Sequence, residues 1–373
     1  MEMETIKTPS LIVDFARMKR NSERISERAK ELKINFRPHV KTHRCLEIAR
    51  IQTENTFGGI MVSTLSEAHF FSANGFSDII YGVPVEHGKF AEVIEISRKT
   101  EKFAVLTDDA ETVQLLNETA KSEDVKLNVF VKIDVGYHRC GVEPRTKEAF
   151  EIPQKIEDSS NLNFAGILTH AGHSYHANSA ENLLEVAHEE RDKMRKHAEN
   201  LRKKGLEVPT VSIGSTPTFS AIDNLDGISE FRAGNYIFFD AFQATLGSCK
   251  FEDCALTVLA AVVHRDFARQ KIVVDAGAVA LSKDRGAVEF DRNCGYGRVY
   301  DLEGNDLDLR VESLSQEHGE ISVSDEKIFN QLKVGSRVRI LANHSCLTAL
   351  QHSHYHILND EKIIDKWEIN RGW

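Results

Sequence analysis

From residue 34 onward, short apolar runs rich in Val, Ile and Phe alternate with longer stretches in which apolar residues return every three or four positions. The runs cover 34–40, 59–63, 78–82, 102–106, 126–134, 163–170, 210–214 and 230–238; the helical stretches between them include 66–74, 87–97, 109–121 and the long 180–204. A near-continuous apolar run of strand length is what a parallel strand covered on both faces shows, and a 3.6-residue period marks the helix that covers it. Eight strand and helix repeats in roughly 200 residues predict an α/β fold, a (β/α)8 TIM barrel. A doubly wound open sheet would use the same pattern, but no GxGxxG follows the first run to support it.

Near residue 250 the pattern changes to Val- and Ala-rich strands at 256–263, 271–275, 310–314, 319–323, 337–341 and 354–358, with few helical stretches. This predicts a second, mostly β domain. The run 10–14 is left over from the count of eight and is expected to pair with the barrel rim or the β-domain. The expected division is therefore a barrel over 14–250 and a β-domain over 251–373 that draws in residues 1–13.

Composition narrows the function. No apolar run approaches the roughly 20 residues that cross a bilayer, and the start, Met1-Glu2-Met3-Glu4-Thr5, lacks the basic and apolar regions of a signal peptide. A cytoplasmic protein is expected, with no membrane partner. The six cysteines have no CxxC spacing, so neither a disulfide framework nor a zinc knuckle is indicated. With 47 Lys and Arg against 57 Asp and Glu, a net charge of -10 and no basic stripe, nucleic acid is not an expected partner. The basic runs 191–196 and 202–204 read as a solvated face of a glutamate-rich helix.

In a (β/α)8 barrel the reactive groups lie at the C-terminal ends of the strands, so those positions filter the candidates. The first strand ends in Arg37-Pro38-His39-Val40-Lys41-Thr42-His43, and a lysine there points to a Schiff-base nucleophile or a base, or else to a rim lysine paired with a carboxylate. Asp134-Val135-Gly136-Tyr137-His138-Arg139-Cys140-Gly141 and Leu168-Thr169-His170-Ala171-Gly172-His173-Ser174-Tyr175 set basic and aromatic groups beside glycine. In Gly214-Ser215-Thr216-Pro217-Thr218, Thr216 reads as an N-cap with Pro217 opening a short helix, which suits a phosphate; Gly234-Asn235-Tyr236 adds a second close-approach loop. A reactive lysine and a phosphate cradle in one barrel mouth suggest pyridoxal 5'-phosphate.

These motifs, together with Arg232-Ala233-Gly234-Asn235-Tyr236 and Asn343-His344-Ser345-Cys346, resemble the fold-type III pyridoxal phosphate enzymes, and among them the metal-dependent D-serine dehydratase and D-threonine aldolase family of the alanine racemase superfamily. The resemblance runs from about residue 8 to the C-terminus. It implies that Lys41 carries the cofactor as a Schiff base and then acts as the base at Cα, that Arg139 lies near the phenolic oxygen, that His170 packs on the ring and that Arg232 approaches the ring nitrogen. It places Ser215, Thr216, Gly234, Asn235 and Tyr236 at the phosphate and Tyr175 in the substrate pocket. Ala233 stands where the pattern has proline, which bears only on the rigidity of that loop.

His344 and Cys346 are two apart, so on an extended segment they face one way and can share a metal. On spacing alone a buried thiol beside a surface histidine is the better reading; the resemblance makes the pair ligands of a divalent metal, with thiolate favouring Zn2+. The implied reaction is loss of water from D-serine or another β-hydroxy D-amino acid, giving a 2-oxo acid and ammonia. In the family an aspartate replaces this cysteine in aldolases, so a D-serine dehydratase is expected before a D-threonine aldolase-type retro-aldol lyase or an amino-acid racemase. A homodimer is implied too. His352, His354 and His356 alternate along one strand face and read as a solvent-facing or interface strand.

Overall fold

A computed structural model describes residues 2–373, and of Ala287 only the backbone. Met1, part of the segment expected to join the β-domain, lies outside the described residues. Packing divides the chain into two units: residues 24–234 with 372–373, and residues 1–23 with 235–371.

The chain opens with β1 (Ser10–Asp14), and all eight barrel runs then form strands: β2 (Asn35–Pro38), β3 (Ile60–Val62), β4 (Asp78–Pro84), β5 (Lys102–Thr107), β6 (Leu127–Lys132), β7 (Leu162–Leu168), β8 (Val211–Ile213) and β9 (Glu230–Ala233). They pair in parallel in the order β2-β9-β8-β7-β6-β5-β4-β3, and a parallel bridge between His39 and Met61 brings the ends together, giving a nearly closed (β/α)8 barrel. The strands are buried along most of their lengths, as helices on the outer face require. Met61, Ile80, Ala104, Leu106, Phe130 and Leu168 form one cluster of the interior, each large aliphatic chain worth roughly 1.5–3 kcal/mol of burial. The helices begin where a polar side chain satisfies a free N–H: Thr64 accepts from Glu67 N, Asp109 from Thr112 N and Ser179 from Asn182 N.

The second unit is built on a ten-stranded sheet. Its strands are β10 (Leu256–Asp266), β11 (Lys271–Val274), β12 (Gly297–Tyr300), β13 (Asp306–Arg310), β14 (Ser313–Leu314), β15 (Gly319–Ser322), β16 (Arg337–Ala342), β17 (His354–Asn359) and β18 (Lys362–Glu368), with β1. β1 lies antiparallel to β10 and parallel to β17, so the leftover run belongs to this sheet and not to the barrel rim. Ile12 of β1 packs with Met3, Ile6, Leu259, Leu358 and Ile363.

The packing boundaries, 23/24 and 234/235, differ from the expected 14 and 250. Hydrogen bonds account for the shift. Asn21 Nδ2 donates to Asp253 O at 2.8 Å, and Phe242 N donates to Asn343 O at 3.2 Å, so both flanking segments are tied into the β-rich unit.

Candidate active site

Beyond β2 the chain turns into a single 3-10 turn, Val40–Thr42, capped by His39, whose Nδ1 accepts the Lys41 N–H at 3.5 Å. Lys41 therefore stands just past the strand end. Its side chain is exposed, and its charge acts on both His39 and His170. His39 Nε2 lies 3.4 Å from Ser63 Oγ. His170 Nδ1 donates to Gly214 O at 2.8 Å, which leaves Nε2 of the neutral ring as an acceptor. Both imidazoles sit well below their ordinary range. For His39 burial comes first, followed by Lys41, Arg232 and His170; for His170 burial is followed by Lys132 and Lys41.

After β6 the loop is shaped by Asp134, whose carboxylate accepts the N–H groups of Gly136, Tyr137 and His138 at 2.9 Å. The Tyr137 ring meets His170 edge to face, centroids 6.1 Å apart, and carries the Arg139 guanidinium over its face at 5.0 Å. Arg139 is exposed, and Tyr175 is half-buried in the turn Gly172–His176.

One buried carboxylate holds two of these loops. Glu190 Oε1, on the helix Ala180–Lys203, accepts Ala171 N and Gly214 N, each at 3.0 Å. Gly214, at φ +141, lies so close to β9 that a Cβ would meet Arg232 O at 2.1 Å. The cap of the helix Thr216–Ala221 is Ser215 and not Thr216: Ser215 Oγ accepts Thr218 N at 3.2 Å and lies 3.0 Å from Ser174 Oγ. The cap is one residue earlier because Ser215 is the last extended residue, and Thr216 Oγ1 is left buried with no hydrogen-bond partner. Arg232 is buried, donating from Nε to Ser212 Oγ at 2.8 Å and from Nη2 to Thr169 O; burial lowers it to about 10. Gly234 lets the end of β9 approach the turn at Lys41, since a Cβ there would meet His39 O at 2.5 Å.

The remaining candidates lie in the β-rich unit. His344 and Cys346 are not on an extended strand. His344 is the extended residue before the helix Ser345–Ala349, and Cys346 is the second residue of that helix. The turn still brings imidazole and thiol into hydrogen-bond contact. His344 Nδ1 bonds Asp284 Oδ2 at 2.7 Å, leaving Nε2 as the nitrogen available to a metal. Burial would lower this histidine, but the bonds to Asp284 and Cys346 raise it well above its ordinary value. Tyr236 is buried in the turn Asn235–Ile237, and the Asn235 amide faces Asp240, Ser345 and Cys346.

Among the described residues no three His, Cys, Asp or Glu side chains form a metal-holding cluster. Of the three later histidines, His352 precedes β17 and bonds Ala280 O at 3.0 Å, while His354 and His356 share a strand face. Lys132, Glu190, Asp240 and Asp284 are the functional candidates that the sequence reading missed. Lys132 ends β6, is 5% exposed and is lowered to about 7, first by burial and then by Arg232. Its one sequence signal is a charge inside the apolar run Val129-Phe130-Val131-Lys132-Ile133.

No helix among the described residues is long and apolar enough to cross a membrane. A family model for the alanine racemase N-terminal domain matches residues 13–241, and one for a putative serine dehydratase domain matches residues 255–358. The chain is similar to the D-serine dehydratase of Dictyostelium discoideum, 36% identical over 391 residues that cover 100% of this chain and 98% of the relative. It is also similar to the D-threo-3-hydroxyaspartate dehydratase of Delftia sp. (strain HT23), 36% identical over 99% of this chain and 98% of the relative. The solved structure of that enzyme superposes with a TM-score of 0.96 at 35% identity, covering 100% of both chains. A cysteine-to-alanine variant of it, solved in a metal-free form, gives 0.97 at 34% identity, again over 100% of both. A D-threonine aldolase of Arthrobacter sp is 28% identical over 99% of this chain and 93% of the relative.

Proposed function

The chain belongs to the D-serine dehydratase and D-threonine aldolase family of alanine racemase-like lyases, and from that premise we propose that it is a pyridoxal phosphate- and zinc-dependent D-serine dehydratase. It would eliminate water from D-serine, or a related β-hydroxy D-amino acid, to give a 2-oxo acid and ammonia. The observation that carries this reading is the His344 and Cys346 pair, with the imidazole braced by Asp284 at 2.7 Å. A racemase, which only moves a proton at Cα, has no use for such a donor set.

The barrel residues fit the cofactor by their own chemistry. Lys41, Lys132, Arg139 and Arg232 supply positive charge, and Thr216 Oγ1 is buried without a partner, as a donor awaiting a phosphate oxygen would be. Lys41 Nζ would hold the cofactor covalently and, once released, take the proton from the substrate's Cα. Neutral His170 would stack on the ring, its plane fixed by the bond to Gly214 O. Arg139, with Tyr137 beneath it, would face the phenolic oxygen, and buried Arg232 the ring nitrogen. Ser215, Thr216, Gly234, Asn235 and Tyr236 would serve the phosphate, Asn235 and Tyr236 through their backbone, and Tyr175 would line the substrate pocket. His344 Nε2 and Cys346 Sγ would hold the zinc, leaving positions for water or substrate. When bound, the cofactor delocalises charge developing at Cα and the metal stabilises the departing β-oxygen.

Six cysteines, none in a disulfide, suit a cytoplasmic setting, and a homodimer is proposed from the family, to be checked by sedimentation. Purified protein given D-serine should release pyruvate, lose that activity to a chelator and regain it with zinc. Cleavage of D-threonine to glycine and acetaldehyde, without ammonia release from D-serine, would turn the assignment to the aldolase branch.

A further inference from the structure

The turn that carries His344 and Cys346 is held by a carboxylate to which no role has been given. Asp240 is 1% exposed and caps the helix Ala241–Thr245, its Oδ1 accepting Gln243 N at 2.9 Å. A cap needs only that oxygen. The other, Oδ2, accepts three further donors: Ser345 N at 2.9 Å, Ser345 Oγ at 3.1 Å and Asn235 Nδ2 at 2.7 Å. Ser345 is the residue between the two metal-ligand candidates, so its backbone and hydroxyl are both pinned to one fixed charge. One Asn235 amide hydrogen goes to Asp240, and the other is shared between Ser345 Oγ, 3.1 Å from Nδ2, and Cys346 Sγ, 3.7 Å from it. The amide orientation is settled by Asp240, because only the NH2 face can meet a carboxylate.

We propose that Asp240 and Asn235 are positioning residues of the metal site: Asp240 fixes the ligand turn, and Asn235 donates a hydrogen bond to the Cys346 sulfur that moderates the charge it presents to the ion. This rests on reading His344 and Cys346 as the metal pair. The physical basis is general. Groups that orient ligands set how much of the binding energy is spent on ordering them, and their loss weakens metal binding about 10–100-fold. An N–H donor to a thiolate stabilises the sulfur lone pairs that would otherwise be given to the metal.

The test uses the cofactor-replete protein loaded with cobalt(II) in place of zinc, read by competition with a chromophoric chelator and by the sulfur-to-cobalt charge-transfer absorption. Asp240→Ala should weaken cobalt binding about 10–100-fold with circular dichroism unchanged. Asn235→Ala should still bind cobalt one to one, but with the charge-transfer band moved to lower energy, a change that a purely structural role would not produce. Unaltered affinity in the first variant together with an unmoved band in the second overturns the proposal; should Asp240→Ala fail to fold, the band in Asn235→Ala decides alone. If wild type shows no sulfur-to-cobalt band, or if His344→Ala and Cys346→Ala bind cobalt as wild type does, the metal reading itself has failed and the positioning role falls with it.

Discussion

In the barrel, His39 and His170 are driven well below their ordinary range, by burial and then by the cations Lys41, Arg232 and Lys132. In the β-rich unit His344 is driven the other way, because Asp284 and the Cys346 thiol outweigh its burial. The same side chain is prepared for opposite partners. The His170 ring, with cations around it and its Nδ1 already donating, is suited to lie neutral against an anionic, planar ligand. A ring whose Nδ1 is bound to a carboxylate is suited to give its other nitrogen to a cation. Both regions nonetheless use one scaffolding device, a buried carboxylate that accepts loop N–H groups: Glu190 for Ala171 and Gly214, Asp240 for Ser345.

The sharpest break in this comparison separates the two halves by mutation. Lys41→Ala should abolish both turnover and the visible absorbance of the purified protein; retention of either would sink the assignment of this lysine. Cys346→Ala should lose elimination of water from D-serine and bind less zinc, while keeping the absorbance, since sulfur and lysine serve different bound groups. Elemental analysis beside the spectrum checks it, and loss of the absorbance along with the metal would contradict the separation.

A smaller effect is expected at the scaffold of the barrel loops. Glu190→Ala leaves the Ala171 and Gly214 N–H groups without their acceptor, at a cost of about 1–3 kcal/mol for each one that water does not reach. Urea unfolding should show this loss, and titration with the cofactor should show weaker binding because the His170 and Ser215 loops are both released. Unchanged cofactor affinity in a destabilised variant would confine Glu190 to folding.

These carboxylates also mark where the sequence stopped being informative. The eight barrel strands were legible because burial on both faces leaves near-continuous apolar runs. β18 was not, because only one of its seven residues is fully buried and its alternation is lost among charges. The run read as one strand at 310–314 is broken: Val311 N bonds Gly297 O on one side, and Glu312 N turns to Glu320 O on the other. Lys41, His170 and Ser215 stood out because each lies in a dense local motif, whereas His344 and Cys346 gained their reading as a metal pair from the family resemblance and not from their spacing. Glu190 is one of several charges on a charge-rich helix and Asp240 and Asp284 are lone acidic residues, and Asp240 meets Ser345 across 105 positions while Asp284 meets His344 across 60. No local pattern encodes such a pairing.

The finest test of the cationic side of the comparison concerns Lys132, which has no role assigned by sequence. Burial, then Arg232, lowers it from 10.5 to about 7. An unfolded chain therefore binds one more proton than the folded one between about pH 7 and 10.5, and stability must rise with pH across that window. Below about 7 the folded protein carries the buried charge and bears its full cost. Lys132→Met removes both the charge and the slope. In cofactor-free protein the variant should be more resistant to urea than wild type near pH 6.5, with the gap narrowing by pH 9.5, as the Lys132 proton is lost from the folded wild type. A gap of the same size at both pH values would mean that the variant acts through packing, and that the barrel mouth does not hold this lysine against its charge.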